Sequence, residues 1–374
     1  MRRAAAGSEV SCQLYPPSNL PFYRNFAIKL HIYAIFDPKF EATWVTNKGM
    51  PGRIQMRLLT TVREKFRETL ETYWVLVKVT VPITIVAAFL ARAGVIEMIA
   101  PFFDPVMHTI GLPSELGLAW LTGIIVGLWG AIPLVFTLVP VSDLSVADIT
   151  IFSALLLFAH GLPLEQKIIQ KAGPGMVMTT ILRIAGGLLY AFLLHRICEA
   201  TGWLSAPVSP AWVPLNTTPL WSEFFWDLSK TMILMFFILL LLSLGLEVLR
   251  ATRLLDLMMK AMSPFLRLVG IQGNAVYLTA IGLFLGISYG AGLLIREAKS
   301  GAIPPRQVFL SCVFMGFAHS LVEDTLLVMA LGADIVGILV GRVLFAFAAT
   351  AAIAFVLRLA TDRVFFSMAF NIKR

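Results

Sequence analysis

The length of its apolar runs constrains this chain most. Stretches at 74–90, at 233–246 with its flanks, and at 335–357 carry almost no charge. About 20 such residues, wound as a helix, cross the hydrocarbon core of a bilayer. The runs are continuous rather than alternating, and lipid offers no partner for an open sheet edge, so helices are expected and not strands. Composition agrees, since 58% of the 374 residues are hydrophobic and 14% charged, against about 45–50% and about 25% in a soluble domain. The sequence reads as an all-α polytopic membrane protein.

The net charge of +8 matters through its placement. A basic stretch at 53–67 precedes the first apolar span, and residues 53–72 read as an amphipathic helix lying on an anionic leaflet. Lipid, not nucleic acid, is the partner that this arrangement fits. Cys12, Cys198 and Cys312 show no paired spacing, which argues against a disulfide framework or a zinc cysteine site. Residues 1–52 show no cleavable signal pattern, and Pro16, Pro17, Pro21 and Pro38 break any helix there. This stretch is expected to be an unfolded tail or an over-extended start, with Met50 or Met56 as the working initiator.

Self-comparison shows an internal repeat at a shift of 159 residues. Pro105 falls on Pro264, Gly111 on Gly270, Gly123 on Gly282 and Gly127 on Gly286. Phe158-Ala159-His160 falls on Phe317-Ala318-His319, Gly173 on Gly332, and Arg183 on Arg342. The coinciding residues include glycines, prolines, a histidine and an arginine, which apolar composition alone does not align. The first copy spans 73–200 and the second 228–358, with a Pro- and Trp-rich linker at 201–227 and a basic tail at 359–374.

Each copy reads as about five hydrophobic helical segments: 73–93, 95–112, 116–139, 149–172 and 174–197, then 228–249, 254–270, 275–296, 305–331 and 333–357. The loop at 140–148 and the linker have no Lys or Arg, whereas Arg250, Arg253, Arg296, Lys299 and Arg306 fill the loops of the second copy. Basic loops stay cytoplasmic. Both termini are then inside, and an odd number of crossings per copy makes the two copies inverted repeats. Segments 95–112 and 254–270 are short and are the two whose crossing is in question.

Ionisable groups inside a membrane cost about 2.5–3.5 kcal/mol each and mark function or a buried pair. The fourth segments hold them at equivalent places, His160, Glu165 and Gln166 in the first and His319, Ser320, Glu323, Asp324 and Thr325 in the second. Gly161 and Pro163 should interrupt the first of these helices near the midplane. In a continuous helix His319 and Glu323 would share a face, and in a broken one free backbone ends would lie beside the acids. Arg183 and Arg342 lie about ten residues into the last segments, near the midplane, and Glu165 and Asp324 are their expected counter-charges. The third segments hold glycines at close spacing, which suits tight packing or an unwound stretch, with Ser288 and Tyr289 adding polarity in the second copy. Met258, Met259 and Met262 read as packing, Lys78 as a snorkelling side chain, and His108 and His195 as interfacial.

His319-Ser320-Leu321-Val322-Glu323-Asp324-Thr325, followed by a glycine and a last apolar helix, resembles the Gate, or nucleoside-recognition, membrane domain. That domain is similar to parts of concentrative nucleoside transporters and of ferrous-iron transport protein B. The resemblance implies a transport or gating role for 225–357, with a diverged first copy in which Leu164 stands where the second has Glu323.

The expected function is a gradient-driven transporter or permease for a small polar solute, nucleoside-like by resemblance only. Alternatives are divalent-metal passage, with His160, Glu165, His319, Glu323 and Asp324 as ligands, and a scaffold whose ion pairs only lock the copies together. Metal passage is disfavoured because no two histidines share a helical turn and paired arginines repel a cation. HExxH and a glycine-rich phosphate loop followed by GK[ST] are missing from the sequence, so no enzyme and no cofactor is expected. Expected partners are the lipid bilayer, the solute and a coupling proton or cation, with a homo-oligomer left open. A bacterial-type inner membrane is the expected location.

Overall fold

The computed structural model describes residues 51–211, 213 and 220–370, with side chains from residue 65 onward apart from that of Tyr289. The expectations for residues 1–50, part of the linker and the last four residues lie outside the described residues. Gln55–Arg374 forms one compact unit. Among the described residues there are helices and two isolated bridges, Ser145 with Pro207 and Pro174 with Phe370.

The first copy contains α1 (Pro51–Arg92), α2 (Val95–Ile99), α3 (Asp104–Thr109), α4 (Leu116–Val126), α5 (Leu128–Leu138), α6 (Val146–Phe158), α7 (Leu162–Ala172) and α8 (Met176–Thr201). The second contains α9 (Trp221–Ala251), α10 (Leu254–Leu268), α11 (Asn274–Lys299), α12 (Pro305–Ala318), α13 (Glu323–Ala330) and α14 (Val336–Leu359), whose first stretch, Val336–Gly341, is a π turn. A short α15 (Asp362–Met368) follows. Among the described residues six stretches are long and apolar enough to span: Lys65–Arg92, Val146–Ala172, Met176–Thr201, Trp221–Ala251, Pro305–Ala330 and Val336–Leu359. The chain is an all-α polytopic membrane protein.

Several backbone kinks coincide at the 159-residue shift. Left-handed φ values pair Gly94 with Arg253, Gly111 with Gly270, Gly127 with Gly286, Gly161 with Ser320, and Gly173 with Gly332. Outward faces of α1 and α9 are apolar, with Trp74, Val86, Phe89, Ile233, Phe237 and Leu241 exposed as lipid-facing side chains are. These two helices also pack on each other through Phe224, Met235 and Leu239. Lys65 lies 3.7 Å from Glu247, and Arg92 stacks 4.0 Å from the Trp221 ring, so α1 and α9 run antiparallel. By contrast α6 and α12 are buried almost throughout and form the centre.

The third segments differ from the straight crossings that five spans per copy require. A Cβ on Gly123 would lie 3.2 Å from that of Ala131, and one on Gly290 would lie 3.9 Å from the Gly282 Cα. Residues eight apart in an unbroken helix are separated by about 12 Å. Both segments therefore fold back on themselves, at Gly127 (φ 113°, ψ 178°) and Gly286 (φ 86°, ψ 162°). The second segments differ between copies, being broken into α2 and α3 in one and a single amphipathic α10 in the other. The basic stretch at 53–72 is no separate helix but the start of α1. Residues 359–370 pack on the rest of the chain, since Phe365 is buried, Arg306 pairs with Asp362 at 2.8 Å, and Gly175 N–H donates to Ala369 O at 2.8 Å.

Both hairpin tips lie in a region of φ/ψ that only glycine occupies without strain, worth about 1–3 kcal/mol. Gly127→Ala and Gly286→Ala should each lower the thermal midpoint in detergent by that cost. Gly245→Ala, in the interior of α9 with open space around it, should instead add about 0.5–1 kcal/mol. A neutral Gly127→Ala would mean that the tip is not built as described.

Candidate functional site

Two interrupted helices approach each other end to end. The C-termini of α6 and α12 meet with the Phe158 and Phe317 rings 5.8 Å apart. Beyond them the chain leaves helical geometry, at Ala159 to Gly161 (φ 57° at the glycine) and at His319 to Ser320 (φ 50° at the serine), before α7 and α13 resume. Interruption strips the last carbonyls of α6 and α12 of their helical partners. Arginines from α8 and α14 replace them. Arg183 Nε donates to Phe158 O at 2.8 Å and Arg342 Nε to Phe317 O at 2.9 Å, while their Nη2 groups reach His160 O (3.4 Å) and His319 O (2.8 Å). Hairpin tips close the breaks from the side, as Gly161 N–H donates to Gly123 O (2.9 Å) and Leu321 N–H to Leu283 O (3.0 Å).

Inside this frame the histidines face each other. His160 Nε2 and His319 Nε2 are 3.3 Å apart, and their rings stack obliquely at 4.9 Å. Each ring is held from behind, with His160 Nδ1 at 3.1 Å from Leu156 O and His319 Nδ1 at 2.9 Å from Met315 O. Glu165 bridges the cluster: its Oε2 takes Arg183 Nη1 at 2.6 Å, and its Oε1 lies 3.4 Å from His319 Nε2 and 3.9 Å from His160 Nε2. Asp324 Oδ2 stands 3.6 Å from His160 Nε2 and accepts no hydrogen bond. His160, His319, Glu165, Asp324, Arg183 and Arg342 are all buried.

Thus Arg183 pairs with Glu165 inside the first copy, whereas no ion pair within 4.0 Å joins Arg342 to Asp324 among the described residues, and Arg342 Nη1 is left without a partner. Gln166 Oε1 accepts from Thr179 at 2.6 Å while its Nε2, like Thr325 Oγ1, has no partner. Glu323 opens α13 half-buried, and the turn at Ser320 removes it from a shared helical face with His319. Ser288 is exposed and takes no part in the cluster, and the Tyr289 side chain lies outside the described residues. Sequence reasoning missed Thr179, Gly316 and Tyr190. The Arg183 stem crosses Gly316 of the other copy so closely that a Cβ there would stand 3.0 Å from its Cγ. Tyr190 donates to Gly337 O at 2.5 Å, where the π turn of α14 frees a carbonyl. A shift comparison could not find Tyr190, because Ala349 stands at the equivalent place.

Four apolar spans around two interrupted ones make this a polytopic membrane protein. Residues 232–338 match the Gate family, described as nucleoside recognition, so a Gate domain occupies most of the second copy. The chain is similar to the uncharacterized membrane protein YvoD of Bacillus subtilis (strain 168), 27% identical over 287 residues, which cover 76% of this chain and 91% of that one. No solved structure matches it.

The unequal pairing has a measurable consequence. Glu165→Gln leaves Arg183 buried without its counter-charge and should cost about 3–5 kcal/mol. Asp324→Asn breaks no ion pair to an arginine and should cost less than about 1 kcal/mol. Thermal unfolding in detergent compares the two directly, and equal losses would contradict the asymmetry.

Proposed function

We propose that the protein is a gradient-driven transporter or permease for a small polar solute, working by alternating access where its two halves meet. The observation that carries this reading is the convergence of α6–α7 and α12–α13, both interrupted, with two glycine-tipped hairpins on one buried polar cluster. Interrupted helices with opposed free ends are how midplane transport sites are assembled. The antiparallel run of α1 and α9 supports an inverted relation between the copies, since these helices are equivalent at the repeat shift.

Three full crossings per copy keep the parity that five would give, so the loop charges assign the same sides. The loops around 140–148 and 331–335 and the linker then face outward, the basic loops and both termini face the cytoplasm of an inner membrane, and α10, with Lys260 and Arg267, lies on the cytoplasmic surface. His319, Glu323 and Asp324 serve solute or proton binding, with His160, Glu165 and Gln166 as the pseudo-symmetric half and Arg183 and Arg342 as counter-charges or anion ligands. A nucleoside is the first solute to try, because the Gate domain is described by nucleoside recognition. An oligomer is compatible with this arrangement and not required by it.

Reconstituted protein should move one solute class down an imposed gradient, and His319→Ala should abolish that movement. A solute that binds only the folded protein at 100 times its dissociation constant adds about 2.7 kcal/mol of stability. A panel of nucleosides, bases and organic anions read by thermal unfolding therefore identifies the class. If no solute moves and none stabilises, the cluster is a lock between halves and the transport reading falls. Orientation has its own test in a background without native cysteines. Ser142→Cys should react with an impermeant thiol reagent on intact cells, and Ser300→Cys only after permeabilisation.

A further inference from the structure

The buried core poses a chemical question that a polar solute does not answer. A backbone carbonyl only accepts, so the contacts of His160 Nδ1 with Leu156 O and of His319 Nδ1 with Met315 O place a proton on each Nδ1. In the neutral imidazole that leaves a lone pair on each Nε2, and these two nitrogens are 3.3 Å apart in a buried site. Two lone pairs at that distance repel unless something positive lies between them. Glu165 Oε1, a further acceptor, lies against both nitrogens, while Asp324 Oδ2 lies 3.6 Å from His160 Nε2 at the edge of the group. Asp324 is nine-tenths buried, and its Oδ2 accepts no hydrogen bond.

We infer that His160, His319 and Glu165 form a three-ligand site, with its fourth position open, for a divalent first-row transition-metal ion of the zinc type. Tetrahedral zinc holds imidazole nitrogen at about 2.0–2.1 Å and carboxylate oxygen at about 2.0–2.2 Å, which sets neighbouring donors about 3.3–3.5 Å apart. The observed separations, 3.3 Å between nitrogens and 3.4 Å from His319 to Glu165, are close to that spacing, and the 3.9 Å from His160 to Glu165 needs only a small closure. The outer contacts are those of a metal centre as well. Each ligating ring has its second nitrogen on a carbonyl, and the ligating carboxylate is fixed by Arg183 through its other oxygen.

Two objections raised by the sequence meet the folded geometry. No single helix needs to supply two histidines, because one comes from each copy. The guanidinium groups spend their donors on Phe158 O, Phe317 O, His160 O and His319 O, and Glu165, Asp324 and Glu323 set three carboxylates against the two arginines. With the histidines neutral, a divalent ion thus changes the net charge of the core from −1 to +1, and the arginines do not by themselves exclude it. Mixed imidazole and carboxylate donors select zinc, cobalt, iron or manganese over magnesium and calcium, which take six or more oxygens. This inference goes beyond the transport reading, because occupancy is defined without any flux.

The test uses the full chain, purified in detergent without a polyhistidine tag and stripped of metal. It should take up about one Zn2+ or Co2+ per chain and ignore Mg2+. The Co2+ form should show the intense visible bands of tetrahedral coordination, and X-ray absorption should find two imidazoles on the ion. His160→Gln and His319→Gln should each weaken Zn2+ binding by more than the 10–100-fold typical of losing an outer partner. The wild-type spectra decide the matter even if these variants do not fold. Failure to take up Zn2+ or Co2+ above the Mg2+ control would mean that a shared proton bridges the histidines, and would overturn the site. Undiminished binding in both histidine variants would overturn it too. Since neither readout involves transport, a failed flux assay leaves the metal result standing, and the reverse.

Discussion

Everything at the centre depends on two arginines holding carbonyls that the chain has left open. Lipid supplies no hydrogen-bond donors, so a helix can stop inside a membrane only where protein groups take over its free ends. Arg183 and Arg342 do this for α6 and α12, each bonding the carbonyl 25 residues before it in sequence. With those ends satisfied, the next residues are free to turn, and they place His160 and His319 across the contact between copies. The guanidinium is suited to this task, because it offers five donors in a rigid fork and keeps its charge. Lysine, with a compact ammonium on a flexible stem, would not span two carbonyls two residues apart in that plane.

Much of this was legible in the sequence because the repeat preserves the residues that have no substitute. Glycine at 127 and 286, arginine at 183 and 342, and histidine at 160 and 319 each answer a local backbone demand, and all coincide at one shift. The interruption at 161 was readable from Gly161 and Pro163, whereas at 319–320 the sequence allowed a continuous helix as well as a broken one. The hairpins were not readable. An apolar stretch of 116–139 has the length of a full crossing, and only the φ of Gly127 distinguishes a reversal from a kink. Counting five crossings or three moves only the loops at 112–116 and 270–274, which carry no Lys or Arg, so charge could not expose the difference.

Nor does one-dimensional spacing show which side chains meet. An arginine at the midplane suggested a carboxylate partner, and Arg183 has one, but both arginines spend more donors on carbonyls than on acids. The meeting of His160 with His319 joins residues 159 apart and depends on the two copies facing each other. Tyr190 and Gly337, likewise from different copies, join through a carbonyl released by a π turn that has no counterpart in α8.

The copies are alike in frame and unlike in what they leave unsatisfied. The first holds a closed pair, Glu165 with Arg183, and begins α7 with Pro163, whose missing N–H costs nothing at a helix start. Near the cluster, among the described residues, the first leaves only Gln166 Nε2 without a partner, whereas the second leaves Asp324 Oδ2, Thr325 Oγ1 and Arg342 Nη1, beside a serine in left-handed geometry. Buried polar atoms without partners each cost on the order of 1–3 kcal/mol, so the second copy has more to gain from a ligand than the first. A bound ion or solute that satisfied these atoms would draw the two interrupted helices together, and its departure would loosen the same contact. The asymmetry therefore puts the fixed part of the cluster in the first copy and its responsive part in the second, where the Gate domain lies.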